Sequence, residues 1–158
     1  PTITPSLEQA AKEAKATADT VEYFKKAGVR VVNMSWGGSR ESIETALEQK
    51  GAGGTPEERA ALARQIFNIQ KETLDKAMRG APEILFIAAA GNSDNDNQFS
   101  ELLPSGLNLP NMITIGAIDS SGKPTSSSSE PTATSAPNSP GGGRARSPGG
   151  AASARRVS

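Results

Sequence analysis

The sequence predicts an α/β domain, a mostly parallel sheet with flanking helices, and three observations carry that prediction. The apolar run Ile84-Leu85-Phe86-Ile87-Ala88-Ala89-Ala90 lies between the turn signals Gly80-Ala81-Pro82 and Gly91-Asn92 and fits a strand covered on both faces. A second run, Val29 to Met34, has the same form, its β-branched residues giving way to Ser35-Trp36-Gly37-Gly38. Segments of helical periodicity precede both runs with short loops between, the alternation expected of layered α/β domains.

Taken in order, Pro5-Ser6-Leu7-Glu8-Gln9 opens the first helix: Ser6 can cap it and Gln9 can reach back in a capping box. The helix runs to about Ala27. Leu7, Ala10, Ala11, Ala14, Ala18, Val21 and Phe24 form its apolar stripe at three- and four-residue steps, and Gly28 ends it as the glycine just past a C-cap. The first strand follows at once, Val29 to about Met34. Glu41 to Gln49 forms a short helix with Ile43, Ala46 and Leu47 facing inward, broken by Gly51 to Gly54.

Thr55-Pro56-Glu57-Glu58 is the strongest local signal, because a capping Thr, a proline at the first helical position and a glutamate at the third all favour the same start. The helix it opens reaches about Arg79, buries Leu62, Ile66, Ile69, Leu74, Ala77 and Met78, and is closed by Gly80 ahead of Pro82. The second strand is Ile84 to Ala90. Ser93 to Asn111 is a long connection rich in Asp, Asn, Pro and Gly, of a length that in compact domains is more often functional than idle. A third strand, about Met112 to Ile118, leads to a turn at Asp119-Ser120-Ser121-Gly122, and Lys123 to Ser129 begins a further strand.

A chain of 158 residues is long enough for one domain with a core. From about Glu130 the composition becomes Pro, Gly, Ser, Ala and Arg with Val157 as the one large aliphatic residue, too little to offset the entropy of ordering. The expected division is therefore a body over 1–129 and a disordered tail over 130–158. Zero formal net charge hides an asymmetry, four Arg against one Glu in the tail and 13 basic against 16 acidic residues before it. Neither part is charged enough to announce a nucleic-acid partner, and Arg144, Arg146, Arg155 and Arg156 are scattered among Gly, Ser and Pro.

The chain has no Cys, which excludes disulfides, thiolate catalysis and cysteine metal sites. It has no His either, which removes the usual general base near neutral pH and any Ser-His-Asp triad within the chain. No run approaches the ~18–20 apolar residues of a membrane span, and the N-terminus lacks the basic-then-apolar pattern of a signal peptide. A first residue that is Pro reads as part of a longer polypeptide, so the compartment stays open.

Two strands that finish side by side in small residues mark a site, since open α/β sheets place ligands at the carboxyl ends of their strands. A neutral amide at such an end, Asn92, can donate to an oxygen that becomes negative during attack on a carbonyl; it also suits a turn after Gly91 with a left-handed backbone. Gly37 and Gly38 admit the backbone of another chain, and an exposed strand edge binds extended peptides; a plain strand-to-loop turn accounts for them too, and packing for Trp36. The small side chains of Ala88 to Gly91 leave room for a substrate side chain or pack against a helix. Asn92 to Asn97 carries oxygen ligands at alternate positions, as a calcium loop does, but lacks the EF-hand glycine and distal glutamate, so a solvated polar loop and no cofactor or metal are expected. Neither GxGxxG nor GxxxxGK[ST] is present to support a nucleotide site.

Three segments, Asn33-Met34-Ser35-Trp36-Gly37-Gly38, Ala89-Ala90-Gly91-Asn92 and Leu109-Pro110-Asn111-Met112-Ile113-Thr114-Ile115-Gly116-Ala117-Ile118-Asp119, resemble in the same order those of the subtilisin-like serine peptidases (subtilases, peptidase family S8). The resemblance runs from about Val29 to about Ser129. It implies a partial three-layer subtilisin-like domain from a serine endopeptidase that hydrolyses peptide bonds through an acyl-enzyme. It further implies that Asn92 is the oxyanion-hole donor, that Ser35, Trp36, Gly37 and Gly38 form the edge pairing with the substrate backbone, and that Ala89, Ala90 and Gly91 line the opposite wall of the specificity pocket.

The family's aspartate and His-Gly-Thr-His segments would lie before Pro1 and its Gly-Thr-Ser segment well past Ser129, where this chain has none, so all three triad positions are unoccupied. Thr125-Ser126-Ser127-Ser128-Ser129 looks like the start of the family's next segment before the match stops. The tail's composition is that of a GC-rich coding strand read out of frame from near Ser126. The implied partner is a peptide or protein substrate, with no nucleic acid and no membrane span; oligomeric state is left open. A non-catalytic peptide-binding α/β module is the alternative, and a nucleotide-binding α/β domain a weaker one.

Overall fold

Helix starts in this chain are set by side chains, and helix stops by backbone N–H groups, that satisfy the otherwise unpaired backbone groups at helix ends. The computed structural model describes residues 3–91, 101–121 and 123. In chain order the elements are α1 (Leu7–Lys26), β1 (Val31–Met34), β2 (Gly38–Ser39), α2 (Arg40–Gln49), α3 (Pro56–Arg79), β3 (Leu85–Ala89), β4 (Leu102–Leu103) and β5 (Met112–Ile115).

At the head of α1 the Ser6 hydroxyl accepts the Gln9 N–H at 3.1 Å, as expected, but the Gln9 amide donates to Glu13 at 2.9 Å instead of returning to Ser6. At its foot Gly28 sits at φ 70°, the Val29 N–H donates to the Phe24 carbonyl (3.0 Å) and the Gly28 N–H to that of Lys25 (3.1 Å), the paired bonds of a Schellman stop. That bond engages Val29, so the strand begins two residues later than its sequence suggests. α2 opens on Ser39 and Ser42, which exchange hydrogen bonds as a capping box with serine in the place of glutamate. The expected box at Thr55 forms in full: the Thr55 N–H donates to Glu58 Oε2 (2.9 Å) and the Glu58 N–H to Thr55 Oγ1 (3.3 Å). Gly80 differs from expectation, with a right-handed φ of −73°, so its left-handed freedom plays no part in ending α3.

β1, β3 and β5 form a parallel sheet in that order, with Val32, Phe86 and Met112 in one row and Met34, Ala88 and Thr114 in another. These rows face Val21 of α1 and Phe67, Leu74 and Met78 of α3, which together make the core. The fold is thus α/β with a parallel sheet and flanking helices. The opposite sheet face carries Val31, Ile113 and Ile115, which are 56, 45 and 46% exposed. The double coverage expected for the strands therefore does not hold among the described residues: the apolar runs are continuous, yet the helices lie on one side.

α3 buries Ala63, Ile66, Phe67, Leu74 and Met78, while Leu62, Ile69 and Ala77 are only half-buried. The shift from the expected stripe has a packing cause, because α3 touches α1 and α2 as well as the sheet and its covered arc is rotated accordingly. Leu7 and Ala11 of α1, expected inside, are exposed, and Ala10, Ala14 and Val21 are buried. Asp119 makes the expected turn, its carboxylate accepting the Ser121 N–H at 2.8 Å and the Lys123 N–H at 3.0 Å. The strand expected to begin at Lys123 and the tail over 130–158 lie outside the described residues.

Asn111 ties the bottom of the sheet together. Its side-chain amide nitrogen lies 3.0, 2.9 and 3.1 Å from the carbonyls of Met78, Ala81 and Ile84, and its backbone carbonyl accepts the Phe86 N–H at 2.9 Å. One side chain thereby serves the end of α3, the turn after it and the approach to β3. Asn111→Ala is expected to cost about 1–3 kcal/mol, the desolvation penalty of stranded carbonyls, read as a lower midpoint in urea. A midpoint equal to that of the native chain would mean that water replaces the amide.

Candidate functional site

The parallel register that pairs Met34 with Ala88 brings the carboxyl ends of β1 and β3 together, and the site is what the chain does just beyond them. After β1 the Asn33 side-chain amide donates to the Ser35 hydroxyl at 3.0 Å as the backbone leaves the sheet. After β3 the Ala90 N–H still bonds the Ile115 carbonyl (2.9 Å), and Gly91 then takes φ 97°, a left-handed conformation that favours glycine.

Between these two exits lies a cavity of about 370 Å³, with Ser35, Trp36, Gly37 and Gly38 on one wall and Ala89 and Gly91 on the other. The structure thus brings together the predicted wall residues with one exception. Ala90 is 1% exposed and turned into the interior, because side chains alternate across a strand and its neighbours already take the cavity side. Asn92, the Asn92–Asn97 loop and the tail arginines lie outside the described residues.

The rest of the lining was not anticipated. Leu102, Leu103 and Ser105 close the cavity, and Ser39 and Ser42 reach it from the start of α2. Leu103 pairs with Gly38 and Leu102 with Ser39 in the two-residue antiparallel ladder of β2 and β4. Arg40 clamps that ladder: its backbone N–H donates to the Glu101 carbonyl (3.2 Å), its Nε to the Glu101 carboxylate and its Nη1 to Glu44 at 3.0 Å. The Glu101 hydrogen bond raises the Arg40 guanidinium above its already high ordinary pKa, so the clamp keeps its positive charge. The available signal was the apolar Leu102-Leu103 before Pro104 inside a polar connection; the Arg40–Glu101 pair, 61 residues apart, leaves no local trace.

Gly37 and Gly38 have different reasons for being small. A Cβ on Gly37 would stand 3.3 Å from the Leu103 carbonyl, whereas one on Gly38 would meet nothing within 4 Å. Close approach requires the first; the second faces open space. No backbone hydrogen bond joins Ser35, Trp36 or Gly37 to another described residue. A second cavity of about 300 Å³ is walled by α1 and α3 and shares Trp36, Gly37, Gly38, Ser39 and Leu103 with the first. Trp36, the sole tryptophan, is 53% exposed.

Among the described residues no cluster of His, Cys, Asp and Glu could hold a metal, and no helix is long and apolar enough to cross a membrane. A parallel α/β domain whose strand ends open onto a cleft walled by glycine and alanine is the class that fold and site define. Within that class the chain belongs to the subtilase family: the Peptidase S8 family model matches residues 4–141.

Among solved structures it is similar to the prenylagaramide maturation protease PagA, at 23% identity over 73% of this chain and 32% of that one, with a TM-score of 0.45. It is also similar to the epidermin leader peptide processing serine protease EpiP from Staphylococcus aureus, at 16% identity over 76% of this chain and 28% of that one, with a TM-score of 0.35. The chain therefore spans about a third of the length of these structures. No curated protein matches it.

Proposed function

We propose that this chain is the substrate-binding and oxyanion segment of a serine endopeptidase, and that it lacks the acid, base and nucleophile of the reaction. The backbone of Ser35 to Gly37, free of hydrogen bonds to the described residues and bordered by two cavities, is the observation that carries this reading. An extended peptide laid along that segment pairs its backbone with it and sends alternate side chains to opposite sides. Ser35, Trp36, Gly37 and Gly38 then act as the binding edge, Ala89 and Gly91 as the opposing wall, and Asn92 as the amide donor to the scissile carbonyl. No cofactor or metal has a role in this scheme, and the working unit is the body over 1–129.

The chain contains no histidine to deprotonate a nucleophile. Purified chain is accordingly expected to bind extended peptides without hydrolysing them. Trp36, alone of its kind and lining both cavities, reports that binding directly. Titration with a short extended peptide is expected to give a saturable change in its emission, with no cleavage sensitive to a serine-directed inhibitor. Gly37→Val is expected to abolish the response, since its branched carbons must enter the space beside the Leu103 carbonyl. An emission spectrum indifferent to every peptide would sink the reading. The absence of histidine also favours a second reading, a peptide-binding module with no part in catalysis, which the Asn92 substitution below separates from the first.

A further inference from the structure

We infer that the cavity between α1 and α3 selects a cationic side chain of the bound peptide, with Glu13 as the residue that sets this preference; the inference rests on the peptide-binding reading above. Glu13 lines this cavity together with Thr17, Gln70 and Trp36. Its carboxylate is held by two neutral donors, the Gln9 amide on one oxygen (2.9 Å) and the Gln70 amide on the other (3.1 Å). These bonds fix its position and leave its charge uncompensated. The other acidic residues of α1 differ: Glu8 pairs with Lys12 at 2.8 Å, Asp19 with Lys15 at 2.5 Å and Glu22 with Lys25 at 3.1 Å. Among the described residues no lysine or arginine forms an ion pair with Glu13.

The remaining lining suits the same occupant. An indole attracts a cation, and Trp36 lines the cavity together with Glu13, whose carboxylate makes it anionic. Ile43, Leu74 and Leu103 cover the aliphatic stem of a lysine or arginine while its head stays near the carboxylate. Among the described residues the first cavity has no charged residue in its wall. The two cavities therefore discriminate by charge: one takes a neutral side chain and the other a basic one.

A peptide series tests this with Trp36 emission as the readout. Each member carries one leucine, with lysine, norleucine or glutamate placed one or three residues away. Lysine is expected to bind about five- to tenfold tighter than norleucine, and glutamate most weakly. Glu13 is exposed, so the lysine advantage should shrink in about 0.5 M salt, where such charges are screened. Glu13→Gln keeps the side chain's size and removes the charge, and the lysine-to-norleucine ratio should fall to about one. Equal affinity of the native chain for lysine and norleucine, or a ratio that survives both salt and Glu13→Gln, overturns the inference and leaves peptide binding standing. If no peptide in the series changes the emission, peptide binding fails and takes this inference with it.

Discussion

Phe86→Ala is expected to remove about 3–5 kcal/mol of stability, the cost of deleting a buried aromatic ring and leaving part of its volume empty. Phe86 stands in the central strand, is 1% exposed, and faces the side of the sheet covered by Val21, Phe67, Leu74 and Met78. With helices on one side and paired strands on both edges, its surroundings have little freedom to collapse into the gap. A folded domain holds only about 5–15 kcal/mol in reserve, so this single change should take the chain to the margin of folding. Ile113→Ala is the matched control. Ile113 lies in the neighbouring strand but on the open face, 45% exposed, and its truncation should cost less than about 1 kcal/mol because little of its surface leaves water on folding. Urea titrations of both variants measure the asymmetry. Equal losses would mean that both sheet faces are covered, contrary to the packing described.

The open face also explains why one sequence expectation failed. A strand buried on both sides and a strand in a sheet with one bare apolar face have the same continuous hydrophobic run, so Ile84 to Ala90 could not tell the two apart. Parallel pairing of β1 with β3 was legible instead from the helical segments between them. Capping signals were more legible because they are local. Thr55 and Glu58 lie three residues apart and specify each other's bonds, as Gly28 specifies the end of α1. The inward face of α3 was less so, since packing against α1 and α2 decides it. Phe67 is buried and Ile69 half-buried for that reason, though both are apolar in sequence.

The cleft divides in the same way. Glycine-rich and alanine-rich strand ends can be read from composition alone, and they supply two facing walls of the cavity. The closing residues Leu102 and Leu103 reach it through a two-residue ladder too short for any periodicity, held by an ion pair between residues 61 positions apart. Glu13 belongs to this second group. In sequence it is one of several acidic residues on an amphipathic helix, and only the fold shows that its neighbours on α1 pair with lysines while it is held by amides beside Trp36.

Asn92→Ala is expected to lower kcat by about 10²–10³, a magnitude that comes from a subtilisin's own asparagine and is carried over through family membership. Gly91 turns the chain out of β3 with a left-handed backbone, and Asn92 follows it directly in sequence. In the proposed role its amide donates weakly to a neutral carbonyl and strongly to the oxyanion that forms on attack. An interaction that strengthens only in the transition state accelerates the chemical step and adds little to substrate binding. The assay requires a polypeptide in which this segment is joined to segments supplying the acid, base and nucleophile. Asn92→Asp should be at least as damaging, because a carboxylate offers no donor and places like charge beside the developing anion. A fall in kcat with KM little changed supports the oxyanion role. A rise in KM with kcat untouched identifies Asn92 as a binding contact, and no effect on either would leave the cleft as a module that holds peptides without acting on them.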